Sequence, residues 1–135
     1  MRLPSITAVY VAILALLYAG LSLQVFRLRR KKRAAFGDGG NTELHAAIRA
    51  HAHFAEYVPL IALMAAFLEM SGSSPLQIHF LMGTLLLARL LHPFGMYAKP
   101  NTILFNMGRV TGMVITTMVM ITSALLIIFR LLPAH

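Results

Sequence analysis

Four long apolar stretches, separated by short polar ones, set the organisation of this chain. The first runs from about residue 3 to 26 and carries no ionisable side chain except tyrosine. The stretch 35–41, "AFGDGGN", reads as a tight turn because glycine and aspartate tolerate positive φ. Asn41 or Thr42 can then cap a second helix, with Glu43 at the positive end of its dipole. That helix reads to about Met70, so it is ~43 Å long and exceeds the ~30 Å hydrocarbon core of a bilayer. "SGSSPLQ" (71–77) places Ser74, Pro75 and Gln77 at the N-cap, N1 and N3 of a third helix. This helix is expected to end near His92, where Pro93 and Gly95 follow. After "YAKPN" a fourth runs from about Thr102 to Leu132. The expected fold is all-α: a single four-helix membrane domain over residues 1–135, with spans near 3–26, 42–70, 75–92 and 102–132.

Composition supports lipid as the solvent. Hydrophobic residues make up 59% of the chain and charged residues only 12%, about half the share found in soluble domains. A net charge of +8 would ordinarily raise nucleic acid as a partner. Yet six of the twelve basic residues lie in "RLRRKKR" (27–33), directly after the first apolar stretch, where the positive-inside rule puts them. The run therefore reads as a cytoplasmic loop with both termini outside, able to meet anionic lipid headgroups. Nucleic acid is not expected, since no groove-reading motif accompanies the run. A cleaved signal peptide fits poorly, because the apolar stretch is long and its charge is at the wrong end. The chain has no cysteine, so any thiol chemistry requires a thiol from outside.

The four acids are Asp38, Glu43, Glu56 and Glu69. At 100° per residue, His45, Arg49, His53 and Glu56 fall within a sector of about 80° on the second helix. Leu60, Leu63 and Phe67 continue that stripe, and His51 faces away. Depth counting from Glu69 puts Glu56 ~20 Å inward, and counting from Pro75 puts Arg89 ~21 Å inward. An unpaired charge at that depth costs at least ~2.5–3.5 kcal/mol, so Glu56 and Arg89 are expected to pair. Arg109 lies ~31 Å before Arg130 and shares a face with Asn106, Met113 and Thr116. Gly108 and Gly112 form a small-xxx-small pair that lets another helix approach. Arg49, His53, Glu56, Arg89, His92 and Arg109 thus make a polar layer with three arginines to one carboxylate, which suits an anion. Each arginine read alone could snorkel to the interface. His45 and His51 read as solvated or headgroup contacts and His79 as packing or interfacial. His51 and His53 diverge on a helix, so no metal site is expected.

The segment "FGDGGNTELHAAIRAHAHFAEYVPLIALMAAFLEMSG" (36–72), together with "ARLLHPFGMY" (88–97), resembles the membrane-associated proteins in eicosanoid and glutathione metabolism, the MAPEG family, in its short bacterial form. The resemblance implies an inner-membrane homotrimer with sites between protomers, glutathione as cosubstrate, and a lipophilic small molecule as second substrate. It implies a microsomal-type glutathione transferase or peroxidase. By position, Arg49, His53, Glu56, Arg89 and His92 would bind glutathione, and Arg109 would stabilise its thiolate. His53 stands where many family enzymes have asparagine, and His92 and Met96 where others have tyrosines. A non-catalytic glutathione- or lipid-binding protein of the same fold is the alternative. A small proton-coupled exporter is a further one, although such a carrier would be expected to keep its acid in the first span.

Overall fold

A computed structural model describes residues 3–97, 102–103 and 107–132, apart from the side chains of Phe94, Met96, Tyr97, Met107, Arg109 and Leu131. Among the described residues four α-helices form one bundle: α1 (Ser5–Lys32), α2 (Thr42–Met70), α3 (Pro75–Tyr97) and α4 (Gly112–Leu131). A π-helical turn, Met107–Thr111, leads directly into α4. Residues 98–101, which precede the expected fourth helix, and the position of Asn106 lie outside the described residues.

The chain belongs in a membrane. α1, α2 and Gly112–Arg130 of α4 are each long and apolar enough to cross one. The sequence leads one to expect four such spans, and three of them are found among the described residues; α3 carries Arg89 and His92 within an otherwise apolar helix. Large apolar side chains cover the outside, among them Leu16 (76% exposed) and Phe80 (71%), as expected where the surroundings are lipid and not water.

The helix ends follow local chemistry. Asn41 caps α2, its side chain accepting from the Leu44 N–H at 3.0 Å. Ser74 Oγ accepts from Gln77 N–H at 3.3 Å to start α3. We expect Asn41→Ala to cost about 1 kcal/mol, read as a lowered unfolding midpoint in detergent. Arg33 ends α1 in the left-handed region (φ 54), its N–H returning to the Arg29 and Arg30 carbonyls. The following loop is lashed down by Arg29, whose Nη1 reaches the carbonyls of Ala34, Ala35 and Gly37. Asp38 accepts from the Gly40 N–H and meets His45 Nδ1 at 2.6 Å. These two contacts, the Gly40 bond foremost, hold its carboxyl below the ordinary carboxylate range.

One correction concerns a proline and a helix end. The third helix does not stop at His92 but continues through Pro93 to Tyr97. Pro93 cannot donate to the Arg89 carbonyl, so the continuation depends on packing over propensity. That packing is close: a Cβ built on Gly108 would lie 2.6 Å from Gly95 Cα and 2.8 Å from its N. The Gly108–Gly112 pair is therefore a true contact with α3, since a Cβ on Gly112 would meet the Ala88 carbonyl and His92 at 3.2 Å. Pro59 likewise sits inside a continuous α2.

The main core joins all four helices through residues such as Leu14, Phe54, Ile61, Met82, Leu85 and Val119. A smaller cluster of Leu28, Leu44 and Ala47 closes the loop end between α1 and α2. The opposite end is held by Glu69. Its carboxylate accepts from Ile6 N (2.9 Å), Thr7 N (2.8 Å) and Thr7 Oγ1 (2.7 Å), capping α1 from across the bundle. Near that end Arg130 donates to Ser73 Oγ at 2.9 Å, joining α4 to the 71–74 turn.

Candidate functional site

Arg89 is the least expected side chain in the bundle. It projects from α3 between α2 and α4 and is only 1% exposed. Its partners are neutral oxygens: the His53 carbonyl (3.5 Å), the Gly112 carbonyl (3.2 Å) and Thr116 Oγ1. Thr116 in turn donates to the Gly112 carbonyl at 2.8 Å. Neither carbonyl is visible in a side-chain pattern, and of the three only Thr116 is placed on a relevant face by the sequence.

The expected ion pair between Glu56 and Arg89 is not formed among the described residues. The heights agree but the directions do not: Arg89 turns into the bundle, whereas Glu56 is exposed on the outer face of α2. Leu60, Leu63 and Phe67 are half-exposed on the same stripe (51%, 52% and 52%). A depth count fixes position along an axis and says nothing of the rotation of the second helix.

Beside Arg89 lies a second set of groups. Arg49 and His53, one turn apart on α2, meet at 2.6 Å between Nη2 and Nε2. Because a guanidinium can only donate, this contact makes Nε2 the acceptor and puts the proton of neutral His53 on Nδ1. The His53 ring stacks on His92 of α3, centroids 5.4 Å apart and planes 21° apart. His92 is 2% exposed. Among the described residues no third histidine or acid joins these rings in a metal-like group. Of the six residues singled out from sequence, the structure thus brings together Arg49, His53, Arg89 and His92. Glu56 stands apart on the outer face. Arg109 lies in the π-helical turn beside Gly108, and its side chain is outside the described residues.

The remaining histidines separate cleanly. His51 is not a solvated or headgroup residue: it stacks on Tyr18 of α1 (4.6 Å, 20°) and meets Ser22 Oγ at 3.0 Å. His45 pairs with Asp38, and His79 packs edge-on against Tyr10, as expected of a packing residue.

With four helices and this basic cluster in place, comparison with known proteins decides the family. The MAPEG family model matches residues 7–129. The chain belongs to the MAPEG family. It is also similar to the inner membrane protein YecN of Escherichia coli K12, 38% identical over 94 residues, which cover 70% of this chain and 72% of that protein. YecN of E. coli O6:H1 matches to the same extent. No solved structure matches the chain significantly. As a MAPEG protein with spanning helices and a relative named for the inner membrane, it is an integral membrane protein.

Proposed function

We propose that this MAPEG protein is a glutathione-dependent transferase or peroxidase of the inner membrane, acting on lipophilic electrophiles or peroxides. Arg49, His53, Arg89 and His92 bind glutathione together with Glu56, and Arg109 stabilises the thiolate. The observation that supports this reading is the clustering of Arg49 and Arg89 with two histidines at a place where no carboxylate neutralises them, among the described residues. Such a site favours an anion, and a cationic surrounding lowers a thiol pKa so that the nucleophilic thiolate forms. With no cysteine in the chain, the thiol is soluble and the cations are resident.

The protomers assemble as a trimer, with sites between neighbours. What supports this is Glu56, a carboxylate exposed on an apolar helix face, where lipid alone would leave it uncompensated. α3 completes the fourth crossing, the basic run 27–33 lies in the cytoplasm and both termini lie outside.

The test is the ultraviolet absorbance of the thiolate on mixing purified protein with glutathione. We expect it in the native protein and not in Arg109→Gln. Arg49→Ala should weaken binding about tenfold or more, the loss of one charge-assisted hydrogen bond. The absence of both thiolate absorbance and a glutathione-dependent rise in Tm at millimolar concentration would sink the proposal. A second reading, a non-catalytic binder, is favoured by one observation: protein oxygens already take donors of Arg89. A Tm shift without thiolate absorbance would select it.

A further inference from the structure

On the face of α2 turned away from Arg49 and Glu56, the structure contains an apolar crevice of about 270 Å³ between α1 and α2. Leu14, Ala15 and Tyr18 line it from α1, and Phe54, Val58 and Pro59 from α2. His51 and His53 divide between the two regions: about 200° apart on the helix, one stacks at the crevice end and the other joins the basic cluster. Crevice and cluster are thus different sites.

The end of the crevice nearer the basic run is polar. Tyr18, which lines it, stacks on His51, and His51 meets Ser22. Beyond that lies the run itself, whose members do different jobs. Arg29 holds the loop carbonyls and Lys32 pairs with Glu43 at 3.5 Å. Arg30 instead lies over the exposed Phe26 ring at 5.7 Å and has no carboxylate partner among the described residues. Ala15, Ala19, Phe26 and Arg30 fall within about 60° of one another around α1, so one exposed stripe leads from the crevice to the basic end.

Distances along that stripe suit a lipid. Phe26 is eleven residues from Ala15, ~16 Å, close to half the ~30 Å hydrocarbon thickness. With Phe26 and Arg30 at headgroup level, the crevice falls near the bilayer midplane, where an acyl chain ends. Phe36, 91% exposed in the adjoining loop, gives that level a second aromatic anchor.

We propose that the α1–α2 seam is a resident site for an anionic phospholipid of the leaflet facing the basic run. One acyl chain enters the crevice along Ala19 and Ala15, and the phosphate is held at Arg30. Arginine supplies the planar fork that phosphate oxygens accept, and the apolar crevice replaces bilayer contacts with fixed ones. The site selects by charge at one end and by chain depth at the other.

The chain has no tryptophan, which makes a direct test clean. Tyr18→Trp puts one reporter in the crevice with its stacking on His51 kept, and Leu16→Trp puts one on the outward, 76% exposed face of α1. Each is reconstituted as full-length protein in phosphatidylcholine vesicles containing a minor fraction of phosphatidylglycerol. Bromine is placed near the chain end of one lipid or the other. We expect brominated phosphatidylglycerol to quench the Tyr18→Trp reporter at least threefold more than brominated phosphatidylcholine at equal mole fraction. Leu16→Trp should be quenched equally by both. Adding Arg30→Gln should remove the preference at position 18, and adding Ala15→Phe should reduce quenching there by either lipid. Equal quenching of Tyr18→Trp by the two lipids would overturn the proposal, because the seam would be ordinary annular surface. Quenching of Leu16→Trp but not of Tyr18→Trp would also overturn it, since a second copy of the chain would then cover the seam.

Discussion

Glu69→Ala is expected to lower the stability of the bundle by about 3–5 kcal/mol. Its carboxylate takes the N–H groups of Ile6 and Thr7 and the Thr7 hydroxyl, all near the first turn of α1. The change leaves two backbone donors and a hydroxyl without a partner at a buried position, at about 1–3 kcal/mol for each group. Refilling by water at the membrane boundary offsets part of that total. Glu69→Gln keeps one acceptor oxygen but aims an NH₂ group at a donor, so it should fall between the two. Unfolding by denaturing detergent, followed by circular dichroism, measures both variants. A Glu69→Ala midpoint within about 0.5 kcal/mol of the native one would mean that the cap contributes nothing measurable.

The second large effect is expected at Gly108. Its virtual Cβ lies 2.6 and 2.8 Å from backbone atoms of Gly95, so no side-chain rotation can relieve Gly108→Ala. Either α3 and the π-helical turn separate or the turn changes register. Overpacking of this kind costs about 1–3 kcal/mol, and more where backbone opposes backbone. The function should suffer beyond the stability loss, because this contact sets the distance from Arg89 and His92 to the segment carrying Arg109. Under the proposed function, Gly108→Ala loses the glutathione thiolate signal even at temperatures where its helix content is native. Gly112→Ala meets atoms at 3.2 Å and should be milder. Equal Tm values for native protein and Gly108→Ala would show that the two segments do not approach so closely.

Much of this architecture can be read from residue order, and the failures have a common cause. Helix starts at Asn41 and Ser74 are legible because capping is local, decided within three residues. The Gly108–Gly112 contact is legible as a tendency but not in its partner, Gly95, because a missing Cβ does not name its neighbour. Glu69 serves in the sequence only as a depth marker, although it caps a helix 62 residues away. The Glu56–Arg89 pairing fails for the same reason: axial height follows from counting, whereas rotation follows from packing against two other helices. Pro93 reads as a terminator on local grounds, and tertiary contact at Gly95 outweighs it. For the candidate site, the residue types are legible and their grouping only in part, since Arg89 is held chiefly by main-chain carbonyls that every residue possesses.

The contacts along α1 and α2 also bear on motion. Glu69 joins the two helices at one end, and Lys32 with Glu43 joins them at the other; Ser22 with His51 adds a rung between. Ties at both ends and between them resist scissoring, so the opening beside Pro59 is expected to keep its width. An occupant is then selected by thickness and length, and its entry is expected to leave the two helices in place. A shape change on ligand binding is therefore expected in α3 and α4, which approach at Gly95, Gly108 and Gly112 beside a π-helical turn.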